Sequence, residues 1–356
     1  MNAKKWVMSW FTILSISLML IGSFNLLIDP MWIFTHTHPL NTLQRAFDER
    51  KLKSFYLKNR PKTYDSLLLG SSRTAYYNHK HFNGMRVFNY SSSGAKPYEF
   101  YDFIENFKQY NELKNLIIGF DYFGSMLRYK EDVAAIVNSN KLMLKEVNTR
   151  GKLEHFLLNY WSIDITRHSL INLYRSVTNT SSARSYNRAN ENIVTTEKIP
   201  KSEIVEPNFN RYYPKNHKYI SNFKSILNNI SKESEGANLI VFTTPISTTL
   251  LRLIHENEGL YANYKRWIKD LVSAFPKVYF TTYLNPLAQN YKVYSRDGHH
   301  YYPFINSEIS RYITLGKTSN TDVSDSIKVL TEENVDNFLR QIDTIHTEGL
   351  TSTSQD

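Results

Sequence analysis

The sequence predicts an α/β fold in which a parallel sheet lies between two layers of helices. Short apolar runs, rich in β-branched and aromatic residues, occur at 65–70, 87–90, 116–120, 239–243 and 278–280. Helical patterns separate these runs, for example at 97–110 and 256–274. Because short buried strands that alternate with helices are typical of three-layer parallel sheets, we expect that architecture here.

Residues 6–28 form an uncharged, mostly apolar segment, and Lys4 and Lys5 precede it. About 20 apolar residues are enough to span the core of a bilayer. The competing interpretation is a cleaved signal peptide, but the segment runs into Asp29 and Pro30 without an Ala-x-Ala cleavage pattern. We therefore expect an uncleaved, single-pass anchor in the cytoplasmic (inner) membrane. The lysines place the amino terminus in the cytoplasm and the remaining chain on the extracytoplasmic side.

The remaining chain is predicted to contain one large domain with flanking segments. Residues 1–28 are the cytoplasmic stub and anchor, and residues 29–62 are a juxtamembrane connector with an amphipathic helix near 41–57. The α/β domain covers 63–317. Within it, the polar and mostly helical interval of about 130–235 is too long for an ordinary crossover and predicts an inserted cap or lid. Residues 318–356 are predicted to be a polar tail with one helix near 331–346 and a disordered end.

Composition excludes several classes of protein. The 356 residues include no Cys, which excludes disulfides, thiolate nucleophiles and Cys-ligated zinc. The net charge is +10, but the basic residues are scattered, so we expect no nucleic-acid partner. Scattered charge fits a nearby anionic surface, such as lipid or acidic polysaccharide, or a plain solubilising surface. No phosphate-binding or dinucleotide fingerprint occurs, and His79 and His81 lack a nearby carboxylate pair, so we expect neither cofactor nor metal.

Two short segments, far apart in the chain, contain the parts of a Ser-His-Asp site. The first is Leu67-Leu68-Leu69-Gly70-Ser71-Ser72-Arg73, an apolar strand that runs into a turn. Ser72 would lie at the amino end of the next helix, where N–H groups and the helix dipole favour a developing negative charge. The alternative is a turn whose serines only cap a helix.

The second segment is Asp297-Gly298-His299-His300, on a loop after a predicted last strand at 291–294. A spacing of three residues lets the Asp297 carboxylate accept the Nδ1 proton of His300 while Nε2 faces outward as a base. His299 is the rival base. The alternative is a polar turn with surface histidines.

Two further residues are candidates for oxyanion stabilisation or substrate binding. Gly94 follows the second predicted strand and could present a bare N–H to an oxyanion. Asp121 follows the third predicted strand and would lie at the carboxyl edge of the sheet, where α/β proteins bind ligands.

These segments resemble the SGNH (GDSL-like) hydrolase superfamily, over roughly 63–120 and 237–316. Gly70-Ser71-Ser72 is similar to the first block of that superfamily, whose third residue is the nucleophile, and so Ser72 takes that role by resemblance. Gly94 is similar to the oxyanion-hole glycine of the second block. Asp297-Gly298-His299-His300 is similar to the last block, Asp-x-x-His, which assigns Asp297 and His300 to a triad. The resemblance implies an SGNH/flavodoxin-like sheet.

The third block departs from the family pattern. The family has Gly-x-Asn-Asp, whereas Gly119-Phe120-Asp121-Tyr122 places an aspartate where the asparagine donor belongs. An ionised carboxylate cannot donate to an oxyanion, so three roles stay open for Asp121: protonated donor, support for another donor, or substrate ligand.

This departure and the anchor resemble the membrane-anchored branch, which includes alginate O-acetylation proteins and the lipoteichoic acid D-alanylation protein. The resemblance implies an O-acyltransferase or esterase that acts on cell-envelope polysaccharide, fed by a multi-spanning membrane acyltransferase as partner. The alternative is a non-catalytic carbohydrate-binding or assembly protein on the same scaffold. A third hypothesis is an esterase that acts on lipids, which would need a more apolar cap than residues 150–220 provide.

Overall fold

The computed structural model describes residues 3–127, 130–181, 185–194, 213, 218–295 and 297–351, with side chains described as far as 344. The chain divides into two compact units. The first unit combines Met1–Arg60 with Leu142–Thr196, and the second combines Pro61–Lys141 with Glu197–Asp356.

The secondary structure alternates between helices and short strands. The helices are α1 (Ala3–Ile28), α2 (Glu49–Lys58), α3 (Pro97–Lys108), α4 (Val133–Thr149), α5 (Lys152–Asn159), α6 (Ile163–Thr178), α7 (Phe223–Glu233), α8 (Thr248–His255), α9 (Glu258–Ala274), α10 (Pro286–Gln289), α11 (Pro303–Leu315), α12 (Thr321–Ser326) and α13 (Val335–Thr351). The strands are β1 (Leu43–Arg45), β2 (Ser66–Leu69), β3 (Val87–Asn89), β4 (Asn115–Phe120), β5 (Met126–Leu127), β6 (Ser185–Asn187), β7 (Lys218–Tyr219), β8 (Asn238–Thr243), β9 (Val278–Phe280) and β10 (Lys328–Leu330).

A six-stranded sheet forms the centre of the second unit, in the order β3-β2-β4-β8-β9-β10. All neighbouring pairs are parallel except β9 and β10, which are antiparallel. The strands β2, β3 and most of β4 are buried, as expected for strands with packing on both faces. The predicted α/β class, with a mostly parallel sheet flanked by helices, is confirmed.

The order of the strands creates one switch point in the sheet. From β2 the chain moves outward to β3 and then returns to the opposite side of β2 to form β4. Connections that leave adjacent strands in opposite directions open a crevice at the carboxyl ends of those strands. The residues that follow β2 and β4 therefore lie beside this crevice.

Two predictions for the second unit are wrong. Residues 291–294 are not a sheet strand: Tyr291–Val293 is a 3₁₀ turn, and Tyr294 forms an isolated bridge with Tyr301. Val293 and Tyr294 are nevertheless buried, so the apolar pattern reflects core packing without sheet pairing.

The segment after 318 contains more regular structure than the single helix near 331–346 that the sequence predicts. It contains α12, then β10 paired with β9, then α13, which extends into the predicted disordered end; residues 352–356 lie outside the described part. β10 has three residues, of which only Leu330 is buried, so it carries no periodic signal that the sequence could reveal.

The first unit contains α1, which is long and apolar enough to cross a membrane. It also contains a small antiparallel sheet of β1 and β6. The helix predicted over 41–57 is therefore a strand followed by α2.

Asp29 and Arg188 form a buried ion pair at 2.6 Å in this unit. Residues 142–196 therefore pack with the amino-terminal segment, whereas 218–295 belong to the sheet unit. The predicted single insertion over 130–235 is divided between the two units, and residues 182–184, 195–212 and 214–217 lie outside the described part.

Candidate active site

The turn after β2 depends on Gly70. A Cβ atom on Gly70 would lie 2.5 Å from Thr74 Cβ and 2.9 Å from the Gly119 carbonyl oxygen, so only glycine fits this close approach. The carbonyl oxygen of Ser71 accepts from Ala75 N at 3.0 Å, and its hydroxyl oxygen accepts from Arg73 N at 3.2 Å. Ser71 is thereby committed to the turn.

Ser72, His300 and Asp297 form a continuous chain of hydrogen bonds. Ser72 Oγ lies 2.8 Å from His300 Nε2, and His300 Nδ1 lies 2.6 Å from Asp297 Oδ2. The turn that carries the acid and the imidazole is closed by the Tyr294–Tyr301 bridge and by Ser295 N donating to His300 O at 2.7 Å. A serine hydroxyl bonded to one imidazole nitrogen, with a carboxylate on the other, is the arrangement that activates a serine nucleophile.

Asp297 is held in its ionised form by several donors. Its Oδ1 atom accepts from Ser295 Oγ at 2.6 Å and from the backbone N–H groups of His299 and His300, each at 3.0 Å. Burial alone would raise the pKa of Asp297, but the hydrogen bond and charge of His300, the Ser295 hydroxyl and a backbone N–H outweigh burial. The pKa of Asp297 is therefore well below its usual range.

The rival imidazole has a different environment. The ring of His299 contacts Arg73 Nη2 and lies 5.5 Å from the Phe123 ring, and the residue is wholly buried. His300 is the histidine that is bonded to Ser72. His299 thus belongs to the buried support of the site.

Asp121 lies beside the switch point and accepts hydrogen bonds. Its Oδ1 atom accepts from Arg73 Nη1 at 3.0 Å and also from the hydroxyl of Thr244, while Arg73 Nη1 donates to Thr244 Oγ1 at 2.9 Å. The Arg73 guanidinium also faces the ring of Phe123, 5.3 Å from its centroid. Of the three roles left open for Asp121, this geometry fits support of a neighbouring group.

Sequence reasoning missed Arg73 and Thr244. Arg73 follows the Gly-Ser-Ser turn directly, and a buried arginine requires a paired carboxylate. A basic residue directly after the turn that ends a buried strand, with an unexplained aspartate at the end of another strand, is the signal that could have paired Arg73 with Asp121. Thr244 gave no comparable signal, because a threonine after a strand is common.

Gly94 lies on the turn that follows β3, with a φ of 65°. This turn is tied to the Gly-Ser-Ser turn, because Ser92 N donates to Gly70 O at 3.1 Å. Within the part of the chain that the structure describes, neither Gly94 N nor Ser72 N has a hydrogen-bond acceptor. Both N–H groups are therefore available to an oxygen atom of a ligand.

No metal-binding arrangement occurs among the described residues, where no three His, Asp or Glu side chains form a group suited to an ion. His79 and His81 lie on a short 3₁₀ turn.

Comparison of the chain with protein-family models, with curated proteins and with solved structures finds no match.

Proposed function

We propose that this chain is a membrane-anchored serine acyl-transfer enzyme, an O-acyltransferase or an esterase that acts on cell-envelope polysaccharide. The observation that carries the proposal is the hydrogen-bonded chain from Ser72 through His300 to Asp297, beside the switch point of a parallel sheet. Ligands of open α/β sheets bind at this position, so the nucleophile would face the substrate.

In the proposed reaction, His300 Nε2 accepts the Ser72 proton while Ser72 Oγ forms a bond to the acyl carbonyl carbon. The imidazolium that results is stabilised and oriented by the Asp297 carboxylate. The tetrahedral intermediate collapses when His300 returns the proton to the departing alcohol, which leaves an acyl group on Ser72. Water or a sugar hydroxyl then gives its proton to His300 and attacks the acyl carbon. When this second tetrahedral intermediate collapses, the bond to Ser72 Oγ breaks and His300 returns the proton to Ser72 Oγ, which restores the free enzyme.

The negative charge of the tetrahedral intermediate would be stabilised by the N–H groups of Ser72 and Gly94. Neither has an acceptor among the described residues, which is what an oxyanion site requires before substrate arrives. Asp121 would act indirectly, since it accepts from Arg73, the residue that follows the nucleophile.

The polymer substrate and the membrane location follow from the resemblance to the anchored SGNH branch. Support for the location is the length and apolarity of α1, which with Lys4 and Lys5 would place the second unit outside the cytoplasm. Transfer to a sugar would need a donor of acyl groups, and a multi-spanning membrane acyltransferase would supply it. Reporter fusions at the carboxyl terminus test this topology, and a cytoplasmic signal would contradict it.

The test of the chemistry is a covalent adduct on Ser72. The full chain, reconstituted in nanodiscs, would be incubated with p-nitrophenyl acetate, alone and with oligosaccharide acceptors, and digested for mass spectrometry. We expect an acetyl group on the peptide that contains Ser72, absent in Ser72→Ala and present in Ser71→Ala, which is the matched control. Hydrolysis without sugar acetylation would identify an esterase, and acetylated sugar a transferase.

A specific observation keeps a second candidate, a non-catalytic carbohydrate-binding or assembly protein. Asp121 is a hydrogen-bond acceptor where the family has a donor. If the folded protein forms no Ser72 adduct and yet binds oligosaccharide by calorimetry, this second candidate replaces the first.

A further inference from the structure

Helix α6 buries polar side chains and exposes apolar ones, which is the reverse of what is expected for a helix surrounded by water. Its buried residues are Ile165, Ser169 and Asn172, two of which are polar. Its exposed apolar and aromatic residues are Ile163, Leu170, Tyr174 and Val177, which are 55% to 88% exposed. These four residues recur at intervals of seven, four and three, so they share one face of the helix.

Polar contacts fix this orientation. Asn25 Nδ2 of α1 donates to Thr166 Oγ1 at 2.9 Å and to Tyr160 O at 2.7 Å. On the same side, Asn172 Oδ1 accepts from the backbone N–H of Arg45 at 2.8 Å. Since rotating α6 would break the hydrogen bonds of Thr166 and Asn172, its apolar face must point away from the unit.

Helix α5 repeats the pattern. Leu153, Leu157 and Leu158 are 69%, 55% and 57% exposed, whereas His155 is buried against the ring of Phe55. The two helices together expose seven large apolar or aromatic side chains, a set that we call the α5–α6 apolar face. Soluble proteins rarely leave so many large apolar side chains uncovered on two successive helices.

The α6 part of this face adjoins α1. The ring of Trp161, between α5 and α6, packs on Gly22, where a Cβ would lie only 2.5 Å from Trp161 Cζ3. Ile21 of α1 lines one groove with Ile163, Leu170 and Ile171 of α6, and Thr166 and Arg167 complete the lining. The apolar surface of a helix that could span a membrane thus adjoins the apolar residues of α6. Arg167 lies beside them, and its long side chain can carry the charge to the headgroup region.

The dimensions place this junction at the membrane surface. At about 1.5 Å per residue, about 20 residues cross the hydrocarbon core. Counted from Trp6, just after the lysines, that distance ends close to Asn25. Trp161, packed on Gly22, then lies at the far interface, where tryptophan is enriched.

We propose that α5 and α6 lie on the bilayer that α1 crosses, with the α5–α6 apolar face inserted among the lipids of the outer leaflet. The occupant is lipid, because the α6 part of the face adjoins the surface of α1 that would face lipid. The inference rests on the proposed anchoring by α1. Exposed charges on the two helices balance, Lys152 and Arg167 against Glu154 and Asp164, so apolar burial drives the contact and salt should weaken it little.

The natural chain has no Cys, so single cysteines can be placed and spin-labelled without background. The full chain would be reconstituted in nanodiscs of phosphatidylethanolamine and phosphatidylglycerol, with Leu157→Cys or Leu170→Cys. Electron paramagnetic resonance would compare collisions with oxygen, which concentrates in lipid, and with a water-soluble nickel chelate. Ile13→Cys in α1 is the lipid reference, and Lys145→Cys, at an exposed polar position of the same unit, is the aqueous control.

We expect the spin labels at 157 and 170 to collide more often with oxygen than with the nickel chelate, as the label at 13 does, at both low and high salt. The label at 145 should collide more often with the nickel chelate. Nickel-accessible labels at 157 and 170, with a lipid-exposed label at 13, would overturn the inference while the anchor stands. A nickel-accessible label at 13 would overturn the anchor and the inference together. Labels at 157 and 170 shielded from both reagents would mean that protein covers the face, and this also overturns the inference. The Ser72 adduct reports on catalysis independently of all these results.

Discussion

Arg73 Nη1 lies 3.0 Å from Asp121 Oδ1, and the two side chains are 0% and 3% exposed. The ion pair joins the residue after the candidate nucleophile to the carboxyl end of β4, across the switch point of the sheet. It gives a physical reason for an aspartate at this position. A buried guanidinium needs a charged acceptor, and an amide would leave its charge uncompensated.

The Arg73–Asp121 pair predicts that Asp121→Asn destabilises the protein. Removing one partner of a buried ion pair costs about 3–5 kcal/mol, because the remaining charge stays buried without compensation. Chemical denaturation of the variant measures the loss, and Asp336→Asn, at an exposed aspartate of the same unit, is the control with little effect. An Asp121→Asn variant as stable as the wild type would contradict this role for the pair.

The two neighbouring histidines predict opposite results on substitution. His300→Gln removes the base that contacts Ser72, so turnover of an activated ester should fall by about three orders of magnitude or more while the fold is retained. His299→Gln keeps an acceptor for Arg73, so most of the turnover should remain. Steady-state kinetics on both variants, with circular dichroism to check folding, shows which histidine is the base. If His299→Gln is the inactive variant, the assignment of the base is reversed.

The depressed pKa of Asp297 predicts the direction of one pH effect on stability. A carboxyl group whose pKa is lower when folded contributes fully above its unfolded value of about 3.9, and the contribution is lost as the pH falls toward the folded value. The difference in free energy of unfolding between wild type and Asp297→Asn should therefore shrink below about pH 4. Denaturant titrations across this range measure the difference. A difference that already shrinks near pH 6 would contradict a depressed pKa.

Gly94 predicts a loss of turnover that exceeds its effect on stability. Its φ is 65° and a Cβ there would meet open space, so Gly94→Ala should cost only about 1 kcal/mol of stability. If its N–H stabilises the oxyanion, the shifted backbone should lower turnover by about a hundred-fold. Gly236→Ala is a matched control, with a φ of 84° and an equally open Cβ position. Equal turnover in the two variants would remove Gly94 from the oxyanion site.

Much of the sheet could be read from local sequence, and the errors have local causes. The strands at β2, β4 and β8 are apolar runs of four to six residues, long enough for the pattern to be distinctive. By contrast, Val293 and Tyr294 are buried although Tyr291–Val293 is a 3₁₀ turn, since burial alone does not specify hydrogen-bond partners. β10, at the edge of the sheet, is identified only by its pairing with β9.

The sequence by itself determined the α/β class, the apolar segment at α1, and the turns on which Ser72 and Asp297 lie. These features depend on the periodicity of apolar residues and on a glycine where the backbone packs closely, and both act over a few residues. Only the tertiary structure decided that Ser72 and His300, 228 positions apart, lie 2.8 Å from each other. It also decided that Asp121 pairs with Arg73, and that residues 142–196 pack with the amino-terminal segment. These relationships arise from packing between distant segments, which no local pattern of residues encodes.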